Sequence, residues 1–209
     1  MITKSGLAIE LSKLEGFYSP KVSHEQYSTD SEIASEWLWN AFMLGDINDR
    51  KIIDQGSGTG ILGIACMLLG AKEVVFIESE DSVMNVAKEN VKNVRKLEKE
   101  GLEHVKTIFS NIRVEEHEHK AEIVIQNPPF GTRLKGADII FLKKAFKSAP
   151  IVYSMHKTST KEFIQKVSSS EGFKITHSWS YKMPLKATYE HHSKKIQIID
   201  VDVHRFNKI

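Results

Sequence analysis

The sequence predicts a one-domain α/β fold: a mainly parallel seven-stranded sheet flanked by helices, with an antiparallel strand pair at its C-terminal end. Three observations carry this. Short runs such as Ile52-Ile53 and Val74-Val75-Phe76-Ile77 alternate with longer segments of helical period. The runs are apolar at successive positions, as in strands that helices cover on both faces. From residue 174 the alternation stops, and two strand-like runs follow with no helical pattern between them, as antiparallel neighbours require.

The elements follow in order. Residues 5–14 read as a short amphipathic helix. Residues 30–44 read as another, capped by Asp30 or Ser31, with Ile33, Trp37, Leu38 and Ala41 on one face. A buried strand at 51–54 leads into a helix over 60–69 that is apolar almost all round, as expected of a helix pressed on a sheet. A strand at 73–78 precedes a helix at 81–97 with charged outer positions. Strands at 105–110 and 122–126, a helix at 137–148 and a strand at 151–156 continue the alternation. Ser159-Thr-Lys-Glu162 has capping-box spacing, so a helix is expected to start there and run toward Ser170. Strands at 174–183 and 195–206, joined by the polar loop 184–193, close the sheet. With no linker, repeat or low-complexity tract, the 209 residues suit a single domain.

No apolar run approaches the ~18 residues of a membrane helix, and the first residues lack the apolar core of a signal peptide. A single cysteine, Cys66, forms no internal disulfide and no metal-ligand set, which favours a reducing, cytoplasmic setting. The net charge is only +2, yet it is unevenly spread. Residues 1–128 hold 14 Lys and Arg against 21 Asp and Glu, and residues 129–209 hold 15 against 6. A polyanionic partner for the C-terminal part, or a set of solvated faces, accounts for that excess.

Asp54-Gln-Gly-Ser-Gly-Thr-Gly60 lies between the first alternating strand and its helix. Glycines there let the backbone turn tightly against a ligand, and the helix start offers free N–H groups. A dinucleotide site would hold a pyrophosphate at this point. Asp54 argues otherwise, since a carboxylate repels phosphate but holds an ammonium group directly or through water. S-adenosylmethionine carries such an ammonium, no phosphate and a sulfonium. Glu78, ending the second strand, is placed to accept from two ribose hydroxyls, and Asn111, after the third, from an adenine amino group.

Asn127-Pro-Pro-Phe130 follows a buried strand, at the carboxyl edge where α/β sheets bind ligands. The Asn127 side-chain oxygen and the Pro128 carbonyl can both accept from one planar amino group. Two fixed acceptors favour the change toward a tetrahedral nitrogen as a bond to a methyl carbon forms. Pro128 and Pro129 fix φ and remove N–H donors, keeping the acceptors rigid. Phe130 offers a face for stacking a planar substrate. An ordinary strand-ending turn is the plainer account of Pro-Pro.

Taken together, these residues resemble the class I, Rossmann-like S-adenosylmethionine-dependent methyltransferases that methylate amino groups. The likeness is greatest to the methyltransferase-like protein 5 family, adenine-N6 methyltransferases of small-subunit ribosomal RNA, and its archaeal relatives. It rests on Glu25-Gln-Tyr-Ser-Thr29, on Asn127-Pro-Pro-Phe-Gly-Thr132 followed by Asp138 and Phe141-Leu-Lys143, and on Val152-Tyr-Ser-Met-His-Lys157. Tyr189, His192, Lys194-Lys195 and Arg205-Phe206 also match, so the likeness spans nearly the whole chain. It implies that Gln26 and Thr29 touch the cofactor together with Gly56, Gly58, Thr59, Ile61, Glu78, Asn111 and Ile112. Residues 1–45 then form a helical segment completing the cofactor site, ahead of a catalytic core at 46–209. The family also implies a small zinc-binding activator protein. Departures are Gln55 for a usual apolar residue, Ser57 for a frequent cysteine, and Glu78 and Asn111 for aspartates.

A target adenine must leave its stack to reach a recessed site, and contacts to neighbouring phosphates offset that cost. Arg133, Lys135, His156, Lys157, Lys182, Lys186, His191, His192, Lys194 and Lys195 are the candidates for RNA contacts. A glutamine-N5 protein methyltransferase is the enzymatic alternative, because a glutamine carboxamide presents the same planar NH2. A non-catalytic binding module is the other. His117 and His119 are read as part of a solvated charged loop rather than a metal site. Trp37, Trp39 and Trp179 are read as packing or partner surface rather than base platforms.

Overall fold

A computed structural model describes residues 2–17, 29–97, 102–130, 136–186 and 196–209. Helices α1 (Lys4–Ser12) and α2 (Ser31–Met43) precede β1 (Lys51–Gln55), α3 (Ile61–Leu68), β2 (Glu73–Glu78), α4 (Asp81–Leu97), β3 (Lys106–Asn111) and β4 (Ile123–Gln126). Then come α5 (Ala137–Ser148), β5 (Ile151–Lys157), α6 (Lys161–Ser170), β6 (Phe173–Lys186) and β7 (Ile196–Lys208).

The seven strands form one sheet in the order β3-β2-β1-β4-β5-β7-β6. The first five are mutually parallel, and β7 pairs antiparallel with both β5 and β6. The chain winds outward from β1 to β3, then crosses back to add β4 and β5 on the other side. That reversal opens a crevice at the carboxyl ends of β1 and β4, where open α/β sheets take their ligands.

Alternating strand residues feed two cores. Ile52, Phe76, Ile125, Tyr153 and Met155 pack with α1 to α4, and Ile53, Val75, Val124 and Val152 with α5, α6 and Val114. Each large side chain so buried contributes roughly 1.5–3 kcal/mol. The central strands thus need apolar residues on both faces. Gly63 sets how closely α3 lies on the sheet, since a Cβ there would stand 2.3 Å from the Phe76 ring and 3.0 Å from Asp54 Oδ2.

Helix starts follow the sequence in one case and not in another. Asp30 caps α2, its Oδ1 accepting from the Glu32 and Ile33 N–H groups. The capping box expected at Ser159 does not form: residues 158–160 make a 3-10 turn, and Thr160, the residue before α6, gives its hydroxyl to the Lys157 carbonyl. The hydroxyl is thereby used to end β5 instead of to begin the helix.

Two further features frame the crevice. Asp46, after α2, accepts from Tyr153 Oη at 2.6 Å and from Arg205 Nε at 2.7 Å, pinning the N-terminal segment to β5 and β7. The β5/β7 ladder ends at Lys157↔Val201, whereas β6 and β7 stay paired for five more positions, to Lys186↔Ile196. This hairpin therefore reaches ~17 Å past the carboxyl edge.

Candidate active site

The glycine loop is built around a buried acid. Asp54 is 1% exposed; its Oδ2 accepts from the Gly63 N–H at 2.8 Å, and its Oδ1 has no partner among the described residues. Burial pushes its pKa up to about 7, and the Glu78 charge adds to the rise. The carboxylate thus holds the first turn of α3 with one oxygen and keeps the other in reserve. Gly56 and Gly58 take φ of +69° and +54°, left-handed values open to glycine at little cost. Thr59 is buried behind them, and Ile61 starts α3.

Glu78 closes the loop from β2. Its Oε2 accepts from the Gly58 N–H at 3.1 Å and its Oε1 from the Glu80 N–H at 3.0 Å. Asn111, at the end of β3, donates Nδ2 to the Glu78 carbonyl at 3.1 Å, which leaves its Oδ1 as the remaining acceptor. Ile112 packs half-buried on the second core. Carboxylates on both sides of a glycine loop, with neither ion-paired among the described residues, suit a cationic nucleoside ligand without phosphate. S-adenosylmethionine is such a ligand.

The segment after α1 lies over this loop. Asn90 of α4, 1% exposed, exchanges two hydrogen bonds with the Glu15 backbone and gives a third to the Thr59 carbonyl, each 2.9 Å long. Phe17 Cζ would stand 3.2 Å from a Cβ on Gly58. Gln26 lies outside the described residues.

Asn127 stands at the end of β4. Its Nδ2 donates to Thr29 Oγ1 at 3.0 Å, while its buried Oδ1 has no partner among the described residues. A buried acceptor without a donor costs free energy in the absence of a ligand, so this oxygen fits the capture of an N–H. Pro128 is buried, and Pro129 and Phe130 are half-buried. Lys157 Nζ lies 6.0 Å from the centre of the Phe130 ring.

Other expected residues are placed differently. His156, expected to contact phosphate, is 1% exposed and is hydrogen-bonded to Ser154 Oγ at 2.8 Å. Burial lowers its pKa to about 3, so it is neutral and unsuited to bind an anion. His117, expected in a solvated loop, is also 1% exposed and bonds Gln55 Oε1 at 3.2 Å. Only His119 keeps partial access, at 3.2 Å from Ser110 Oγ. No cluster of metal-binding side chains occurs among the described residues. Trp37 is fully buried, Trp39 packs on Phe42, and Trp179 stacks between Tyr153 and His177. Arg133, Lys135, His191, His192, Lys194 and Lys195 lie outside the described residues.

Sequence reasoning passed over Asn90, the Thr29 contact to Asn127, and Gln126. The last left a visible signal, a carboxamide ending the run Ile123-Val-Ile.

Comparison with known proteins agrees with this geometry. The methyltransferase small domain profile matches residues 23–152. The rRNA N6-adenosine-methyltransferase of Danio rerio is 34% identical over 94% of each chain. The crystal structure of a candidate RNA methyltransferase from Pyrococcus horikoshii superposes with a TM-score of 0.88 at 41% identity, covering 100% of this chain and 99% of that one. The magnesium protoporphyrin IX methyltransferase of Synechocystis PCC 6803, solved with S-adenosylmethionine bound, shares the fold at a TM-score of 0.61 and 13% identity, over 94% of this chain and 89% of that one. The chain belongs to the methyltransferase small-domain family and is a methyltransferase.

Proposed function

We propose that the enzyme methylates N6 of an adenine in small-subunit ribosomal RNA. The observation that carries this reading is the buried Oδ1 of Asn127, which has no partner among the described residues while its Nδ2 donates to Thr29. The name of the Danio rerio relative supports the choice of substrate.

Bound S-adenosylmethionine supplies a methyl group activated by the sulfonium. The protein's share is to hold the accepting nitrogen. Asn127 Oδ1 and the Pro128 carbonyl accept from the adenine NH2, drawing its lone pair out of conjugation with the ring. Phe130 stacks on the base, and Lys157 beside it meets the neighbouring phosphate. Glu78 accepts from the ribose hydroxyls and Asn111 Oδ1 from the adenine of the cofactor. Residues 1–45 complete the cofactor site, a reading supported by the clasp of Asn90 on Glu15 and by the Thr29 contact. On the substrate side, the projecting hairpin and the basic residues from 129 onward, among them Arg133, Lys135, Lys194 and Lys195, hold the RNA backbone. A small zinc-binding activator protein is part of the same proposal, and methyl transfer with and without it tests that part.

The test is methyl transfer from labelled S-adenosylmethionine to purified small ribosomal subunits, with release factor as the protein control and N6-methyladenine mapped in the product. Asn127→Ala is expected to abolish transfer and leave cofactor affinity within about threefold. Labelling of release factor in place of RNA, or turnover by Asn127→Ala, overturns the reading.

A further inference from the structure

A continuous chain of hydrogen bonds crosses three strands directly behind the site. His117 Nε2 donates to Gln55 Oε1 at 3.2 Å, and Gln55 Nε2 donates to Gln126 Oε1 at 2.6 Å. Gln126 Nε2 donates to Ser154 Oγ at 2.9 Å, and Ser154 Oγ is hydrogen-bonded to His156 Nε2 at 2.8 Å. The direction of the first two links is fixed from within. Gln55 Nε2 also gives to the Phe141 carbonyl, so Gln55 Oε1 is the atom left to accept from His117. All five side chains are at most 1% exposed.

Gln55, Gln126, Ser154 and His156 occupy the strand positions that face the second core, just beyond its apolar members Ile53, Val124 and Val152. The backbone ladder between β1 and β4 ends at Asp54↔Ile125. The Gln55–Gln126 bond continues that pairing one position further, through side chains. Between β4 and β5 the last backbone pair is Gln126↔Ser154 itself. Three of its five members also sit one residue before a group of the site: Gln55 before Gly56, Gln126 before Asn127, and His156 before Lys157. Apolar residues would fill this space without joining the strands. Buried carboxamides are tolerated here because each both donates and accepts within the chain, and linked hydrogen bonds strengthen one another.

We infer that Gln126 is a positioning residue for methyl transfer, clamped between Gln55 and Ser154 so that the Asn127 acceptor keeps a fixed place relative to the glycine loop. This rests on the proposed role of Asn127. Gln55, which stands where the resembled family usually has an apolar residue, thereby acquires a partner 71 residues away.

Gln126→Met is the cleanest probe. It removes both bonds at nearly constant volume and leaves Gln55 bonded to Phe141 and Ser154 to His156. The expected result is a kcat on small-subunit RNA at least about tenfold lower, with KM for RNA and Kd for S-adenosylmethionine within about threefold. The double variant Gln55→Met/Gln126→Met, an apolar pair, is expected to recover thermal stability without recovering kcat. A wild-type kcat in Gln126→Met, or a kcat that returns with stability in the double variant, overturns the inference. A second readout needs no substrate. The Asn127 side-chain NH2 resonance in 15N-labelled protein, assigned by its loss in Asn127→Ala, is expected to shift and broaden in Gln126→Met. An unchanged resonance overturns the inference whatever the substrate is. A shifted resonance in an enzyme inactive on ribosomal RNA supports it and overturns the substrate reading instead.

Discussion

Thr29 Oγ1 accepts from Asn127 Nδ2 at 3.0 Å across 98 residues of sequence, and with Nδ2 so engaged the Oδ1 end of the carboxamide is the one left for a ligand. A carboxamide presents an acceptor or a donor depending on which way it is turned, and only the acceptor suits an incoming amino group. Thr29→Val keeps the shape and removes the acceptor, so the amide is free to turn. Transfer is expected to slow about tenfold, the effect of losing ~1.4 kcal/mol of orientation. Thr29→Ser is expected to retain the rate. Steady-state kinetics of the two variants checks this, and equal rates in Thr29→Val and the wild type would remove Thr29 from the site.

The clasp at Asn90 makes a separate prediction. Asn90→Leu leaves the Thr59 carbonyl without its donor and releases the Glu15 backbone from α4. Stability is expected to fall by about 1–3 kcal/mol. S-adenosylmethionine affinity should drop about tenfold, because the segment lying over the glycine loop is no longer held. Limited proteolysis is expected to cut ahead of α2 sooner than in the wild type. Titration calorimetry and timed digestion read the two effects independently.

How much of this was legible beforehand follows from the range of each interaction. The order of strands and helices is written in local period, so the apolar runs at 51–54 and 73–78 sufficed to place β1 and β2. Glycine loop, Glu78 and Asn127 were legible for a similar reason, since a strand end is a local event and in this topology strand ends share one edge. The histidines were not. His117 sits in Glu-Glu-His-Glu-His-Lys, a string that reads as solvated, and its burial depends on Gln55, 62 residues earlier and on another element. His156 lies near the end of a strand of the expected kind, and β7, paired antiparallel beside it, brings the His204 ring next to it. Register between distant strands decides such pairs, and local pattern does not encode it.

Buried neutral histidine has a pH signature. The His156 pKa falls to about 3 by burial, so between its ordinary value of 6.5 and 3 the unfolded chain takes up a proton that the native state refuses. Its contribution to stability is therefore present above 6.5 and lost as the pH falls. Asp54, raised to about 7, acts in the opposite sense, binding a proton in the native state over much of the same window. The two nearly cancel in the wild type. His156→Gln keeps an acceptor for Ser154 and removes one of them. From pH 7 to pH 5 the wild type is expected to lose about 2 kcal/mol more stability than His156→Gln. Urea denaturation at the two pH values measures the difference.

Arg205 and Asp46 form a nearly buried ion pair, with side chains 14% and 9% exposed, completed by the Tyr153 hydroxyl. Breaking such a pair from one side strands the other charge. Arg205→Leu is expected to cost about 3–5 kcal/mol, while Tyr153→Phe, which leaves the pair intact, should cost only ~1 kcal/mol. Because Asp46 follows α2, the larger loss should also loosen the N-terminal segment and weaken S-adenosylmethionine binding. Denaturation midpoints and calorimetry on the two variants check the ranking.

The hairpin of β6 and β7 continues past the last β5 pair, and it carries Lys182 beside the edge where Lys157 ends β5. Lys182 is paired to Asp200 at 3.7 Å, but both side chains are largely exposed, so the pair is weak and the ammonium stays available to a phosphate. If the RNA path runs from the Asn127 motif along this hairpin, each lysine releases about one counterion on binding. Lys157→Glu with Lys182→Glu is then expected to weaken RNA binding at least tenfold. The slope of log K against log salt should fall by roughly 2. Cofactor affinity is expected to be unaffected, since neither residue touches the glycine loop or Glu78. Filter binding at four salt concentrations gives the slope, and an unchanged slope would place the RNA on another face of the molecule.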